Sequence, residues 1–126
     1  MNEIDWKSYG VDADSAAFWD KYNIAVKKAA EREKEAAPKL ESDRIRKYCN
    51  DFRNFYADLI GEENAKAVLA DLPDNKRCFD EVYASLLKCI HDQKAESTRR
   101  IAGILLKYAP KIRGNEIGRA SCRERV

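Results

Sequence analysis

A chain of 126 residues fits one domain, and that length can bury a usable core without disulfides or a structural metal. Its 24 Lys plus Arg stand against 22 Asp plus Glu, a net charge of +2 that gives no strong electrostatic grip on nucleic acid or anionic lipid. A charged fraction of 37% with opposite signs interleaved is the composition of solvated helix surface, and no apolar run reaches the roughly 20 residues that cross a bilayer.

Residues 1–11 read as a short extended lead-in, with Ile4 and Trp6 laid on the first helix and Gly10 breaking the chain. No basic-then-apolar order marks a signal peptide there, so an intracellular protein is expected. Asp12 to Ser15 is rich in capping residues, and Asp14 is the expected N-cap of a helix carrying Phe18, Tyr22, Ala25, Val26 and Ala29 on one side. From Lys27 to Lys39, alternating charges and many alanines give high helix propensity but few anchoring side chains. Pro38 is expected to end that segment.

The most regular stretch is 45–61. Ile45, Cys49, Phe52, Phe55, Tyr56 and Leu59 recur at steps of three and four, which sets them on one buried stripe of a helix. Ser42 or Asp43 is its expected cap, and Gly61 the left-handed residue that ends it. A short helix over 62–71 turns Ala65, Val68 and Leu69 inward, with two glutamates at its positive end. Asp74 and Asn75 open the next helix, whose stripe runs Cys78, Phe79, Val82, Tyr83, Leu86, Leu87 and Ile90 and faces the central helix. Residues 91–100 are polar throughout. Ile101, Ile104, Leu105 and Tyr108 then restore helical spacing, and with no Pro or Gly before Gly103 one long helix is expected to continue. An apolar patch so far along it needs a cover.

The last eleven residues, EIGRASCRERV, match the translation of a common short-read sequencing adapter. Residues 116–126 are therefore read as a non-native tail and left out of fold reasoning. The remaining chain has 21 basic and 20 acidic residues, so the neutral balance stands. The expected fold is all-α: a single helical domain over 1–115 with its core at 43–94. It is a small bundle of four to five helices with a short N-terminal extended segment and a protruding C-terminal helix.

No set of polar groups converges as a catalytic site requires. Cys49, Cys78 and Cys89 fall on apolar helical positions and read as reduced, packed thiols. Cys89 and His91 lie about 200° apart around a helix, poor geometry for sharing a metal. Glu31, Glu33 and Glu35 alternate with Arg32 and Lys34 as surface salt bridging, and His91 beside Asp92 reads as a solvated histidine. The five glycines form no phosphate-cradling loop. Of two basic groups, Arg44 to Arg53 and Arg99 to Arg113, the first is interleaved with Asp43, Asp51 and Asp58, and aromatics are not set between the charges in the way single-strand binders use them, so nucleic acid is not the expected partner. The reading is a non-enzyme with no catalytic, cofactor or metal site. Its candidate protein-binding residues are Phe18, Trp19, Tyr22, Ile101, Ile104, Leu105 and Tyr108, at spacings suited to pairing with a helix of a partner or of a second copy. For the three aromatics the competing reading is core.

A likeness adds to this. Ile45, Arg46, Lys47, Cys49 and Phe55 are followed by Leu59, Ile60, Gly61 and Glu62, then by a linker helix. A helix with Cys78 and Phe79 comes next and ends in a polar stretch with Gln93 and Lys94. On these residues, and on Asp12 to Lys28, the chain resembles a family of small helical proteins from tailed phages and prophages of Firmicutes. Those proteins look like the tail assembly chaperones encoded just before the tape measure protein. The likeness covers about two-thirds of the chain, as one domain; the extension over 95–115 is longer than in compact members. It implies a cofactor-free protein of the host cytoplasm, several copies of which coat apolar helices of the tape measure protein until tail-tube subunits replace them. The implied partner is that protein or a second copy, in a homo-oligomer, with no membrane. The runner-up reading is a small phage-encoded inhibitor of a host defence or nuclease complex, and the third a nucleic-acid-binding regulator.

Overall fold

The computed structural model describes the backbone of residues 3–113 and the side chains of residues 3–107. A 3₁₀ turn, Trp6–Tyr9, precedes four helices: α1 (Ala16–Glu33), α2 (Glu41–Ile60), α3 (Glu62–Leu69) and α4 (Lys76–Arg113). The fold is a small all-α bundle, with no strand among the described residues. The chain falls into two units, Met1–Gln93 and Lys94–Val126. Burial accounts for the division. Every described side chain in the hydrophobic core belongs to the first unit, and Ile90 is the last of them.

In the first unit α2 is the central element. Its stripe is buried at Cys49, Phe55, Tyr56, Leu59 and Ile60, and Ile45 and Phe52 are half-buried against the same core. Phe52 meets the most rings. Its centroid lies 5.2 Å from Tyr48, 6.5 Å from Phe55, 6.0 Å from Tyr56, 6.4 Å from Phe79 and 5.7 Å from Tyr83. Such separations suit offset and edge-to-face pairs, each contributing about 0.5–1.5 kcal/mol beyond area burial. Phe79 and Tyr83 belong to α4, so one ring ties two helices. Phe18 and Ala25 add the inner face of α1, and Ala65 and Leu69 that of α3.

The N-terminal segment is a turn where an extended piece was expected. Trp6 is only 1% exposed, stacks on Tyr56 at 5.7 Å and donates its indole N–H to Ser85 Oγ at 2.9 Å. Gly10, at φ 92°, closes the turn by donating its N–H to the Lys7 carbonyl at 3.1 Å. Tight winding carries the whole indole into the core, and burying so large a ring outweighs the solvation of an extended strand. Gln93 then fixes the next residues. Its Nε2 donates to the Val11 carbonyl at 2.9 Å and its Oε1 accepts the Ala13 N–H at 2.6 Å, so one amide satisfies two backbone groups.

Helix ends depart from the sequence reading by a few residues. Ser15, not Asp14, caps α1 by accepting the Phe18 N–H at 3.4 Å; Asp12 Oδ1 has already accepted the Asp14 N–H at 2.9 Å in the turn before it. α1 stops at Glu33, short of Pro38, because no apolar anchor follows Ala29, and Lys47 Nζ caps the Arg32 carbonyl at 2.9 Å. α2 starts after Leu40 with no side-chain cap, so Ser42 and Asp43 lie inside it and Glu41 and Asp43 serve the dipole instead. Gly61 does have positive φ, but at φ 93° and ψ 153° it is outside the left-handed helical well. That region is almost closed to other residues, and it lets α3 begin one residue after α2 ends. Asn75 caps α4 by accepting from the N–H groups of Arg77 and Cys78 at 2.9 and 3.4 Å.

Because Phe52 is shared by α2 and α4, Phe52→Ala should lower the unfolding free energy by about 3–5 kcal/mol in urea denaturation; an unchanged midpoint would misplace that face. A second expectation concerns alkaline pH. Burial, then the Tyr83 hydroxyl at 3.5 Å, raises the Tyr22 pKa to about 12; burial and the hydrogen bond donated to Asp80 raise Tyr48 to about 12. Burial raises Tyr56 further, its hydroxyl having no partner among the described residues. A folded pKa above the unfolded value favours the neutral phenol. That stability is complete below the unfolded value of 10.0 and is lost as pH rises through about 12. In an ultraviolet titration these phenols should therefore ionise late and together with loss of helical circular dichroism. Ionisation at the ordinary value with the helices intact would refute the enclosed cluster.

Candidate functional site

Three of the seven expected contact residues sit in the first turns of α1. Phe18 is 4% exposed and belongs to the core, so it offers no surface to a partner. Trp19 and Tyr22 are half-buried against that core. The Trp19 indole donates to the Ala13 carbonyl at 2.9 Å, and its ring meets Phe18 at 5.1 Å and Tyr22 at 5.2 Å. Tyr22 meets Phe55 at 6.2 Å, and its hydroxyl stands 3.5 Å from that of Tyr83. Their position follows from the Ser15 cap, which starts the helix so that residues 18, 22 and 25 share the side facing α2. Of the three, Tyr22 joins α1 to α2 by its ring and to α4 by its hydroxyl.

The other expected residues are on the part of α4 in the second unit. Ile101, Ile104 and Leu105 are 55%, 50% and 58% exposed, and steps of three and four place them on one face. Tyr108 falls within α4, but its side chain lies outside the described residues. Leu106 escaped the periodicity reading and is 74% exposed. Three neighbouring large apolar side chains open to water on one helix face is the unusual observation here, since isolated ones are normal.

The polar residues weighed for chemistry are held in ordinary pairs. His91 is solvated, with Nδ1 3.7 Å from Asp92 Oδ1. Lys88 reaches the same carboxylate at 2.8 Å, and this hydrogen bond holds the Asp92 pKa below its usual value. Cys49 is buried, Cys78 and Cys89 partly so; burial pushes the Cys49 and Cys89 thiols up, toward the less reactive neutral form. Among the described residues no group of three or more His, Cys, Asp or Glu could hold a metal ion. No described helix is long and apolar enough to cross a membrane.

In the first basic group each cation faces an acid. Arg44 meets Glu41 at 3.2 Å, Arg46 meets Asp43 at 2.8 Å and Lys47 meets Asp51 at 2.8 Å. Arg53 meets Asp74 at 2.7 Å and lays its guanidinium 4.9 Å over Phe79. Glu35, from the alternating run, reaches Lys47 at 3.7 Å. Sequence reasoning missed Arg32, which pairs with Asp58 at 2.9 Å and ties α1 to α2. Within a run of alternating charge nothing marks one arginine as the inward one. Gln93 was equally silent, one amide in a polar stretch, and only the fold shows its backbone partners.

Neither a curated protein nor a solved structure matches the chain. One family model does, over residues 7–123, and its description is a family of unknown function, DUF6673. That span takes in most of the 3₁₀ turn and all four helices, and runs on into the segment 116–126 read from sequence as a non-native tail. With nearly its whole length matched, the chain belongs to the DUF6673 family of unknown function.

Proposed function

We propose that this protein is a binding protein of the phage tail assembly chaperone kind, which acts without catalysis and shields apolar helices of a tape measure protein in the host cytoplasm. The observation that carries the reading is the exposed face of Ile101, Ile104 and Leu105, three apolar neighbours on a helix with no core residue around them. The likeness of Ile45–Lys94 to phage proteins of that type supplies the partner class. A long amphipathic helix released into water before its permanent partners arrive exposes an aggregating stripe. A second helix laid along it covers that stripe at the cost of few specific contacts.

Co-expression tests this directly. The full chain is produced together with a helical fragment of the tape measure protein encoded beside it. The fragment should stay in solution and co-elute with the chain on size exclusion, and should precipitate when expressed alone. Precipitation in both cases would sink the chaperone reading. Co-elution with a host nuclease or defence complex, and not with the fragment, would replace it with the inhibitor.

A further inference from the structure

The net charge of +2 averages two unlike stretches. Residues 1–93 hold 15 Lys or Arg against 19 Asp or Glu, a net of −4; residues 94–113 hold six against one, a net of +5; and the last 13 residues add +1. The basic stretch is the part of α4 that bears Ile101, Ile104 and Leu105. Its one acid, Glu96, lies 2.6 Å from Arg99. At 100° per residue, Arg100 and Lys107 stand about 40° and 60° beyond Ile104 around the helix, so cations border the apolar stripe on that side.

This charge selects among the covers the stripe could take. A second copy laid along the same face brings +5 against +5, and like charges repel along the whole contact. A helix with Asp or Glu beside its own apolar stripe meets Arg100 and Lys107 with the opposite sign. The spacing of three and four in Ile101, Ile104 and Leu105 is what one helix presents to another. We propose that this face of α4 docks one amphipathic helix of a partner protein whose apolar stripe is bordered by acidic residues. The proposal rests on the binding role above and adds the place of contact and the charge of the partner.

The test uses the full chain and two synthetic helical peptides with the same leucine stripe, one bordered by glutamates and the other by lysines. The glutamate peptide should bind, with an affinity that falls as salt is raised, and the lysine peptide should bind at least about tenfold more weakly. Ile104→Asp should remove binding while circular dichroism shows the helices kept. Arg100→Glu combined with Lys107→Glu should reverse the preference, a result that misfolding cannot produce. Equal binding of both peptides, or of neither, overturns the proposal. So does binding only to phosphatidylglycerol vesicles, which would make the face a lipid-surface helix, or a dimer that excludes the peptide. If Ile104→Asp still holds the tape measure fragment as well as the unaltered chain does, the location is wrong and the binding role stands. If the unaltered chain holds neither fragment nor peptide, both fail.

Discussion

Burial of the α2 aromatic stripe is the constraint on which the first unit depends. Tyr48, Phe52, Phe55 and Tyr56 fill two successive turns of one helix and can be satisfied only by faces on both sides of it. The α1 ring of Tyr22 comes from one side, and Phe79 and Tyr83 of α4 from another. Trp6 stacks on Tyr56 from the N-terminal turn. Because Phe52, Phe55 and Tyr56 each touch several other rings, losing one leaves a void bounded by rigid planar groups, which collapse poorly into it. Even the N-terminal turn answers to this cluster, since the Trp6 indole has a place only once Tyr56 and Ser85 are fixed.

Polar ties then set how the helices rotate about that core. Arg32 to Asp58, Tyr48 to Asp80 and Arg53 to Asp74 each link α2 to a neighbouring segment. Their side chains are partly exposed, and pairs of this sort contribute little, about 0–1 kcal/mol each. Their importance is geometric.

The parts of the fold legible in the sequence are those governed by periodicity. Cys49, Phe55, Tyr56 and Leu59 announce the buried face of α2 by spacing alone, and Phe79, Val82, Leu86 and Ile90 do the same for α4, because 3.6 residues per turn converts sequence spacing into a direction. What periodicity cannot carry is a contact distant in sequence. Trp6 belongs to no repeat, so its burial follows from a partner 50 residues on. Gln93 acts through backbone groups that any residues at positions 11 and 13 would supply. Caps misread by one residue, as with Asp14 and Ser15, reflect two acceptors competing for neighbouring N–H groups, a choice made by the turn that precedes the helix. For the candidate surface, Ile101, Ile104 and Leu105 were legible as a stripe, whereas Phe18 and Tyr22 show the same spacing and are buried and half-buried; the pattern states that a face is apolar and not what covers it.

Magnitudes decide what the α4 face can do. Burying a whole Ile or Leu side chain contributes about 1.5–3 kcal/mol. The three residues of the stripe are about half-exposed, so a partner gains roughly half of that from each, about 2–4 kcal/mol in all. Association costs an estimated 4–15 kcal/mol in lost freedom, so this stripe cannot hold a helix tightly by apolar contact alone. Opposite charge along the border must supply the rest, or several copies must share one long partner and gain by avidity. Each contact stays individually weak and readily displaced in either case. For a protein proposed to cover a helix only until permanent subunits arrive, weak individual contact is the property that allows removal, and a deeper or longer apolar face on α4 would defeat it.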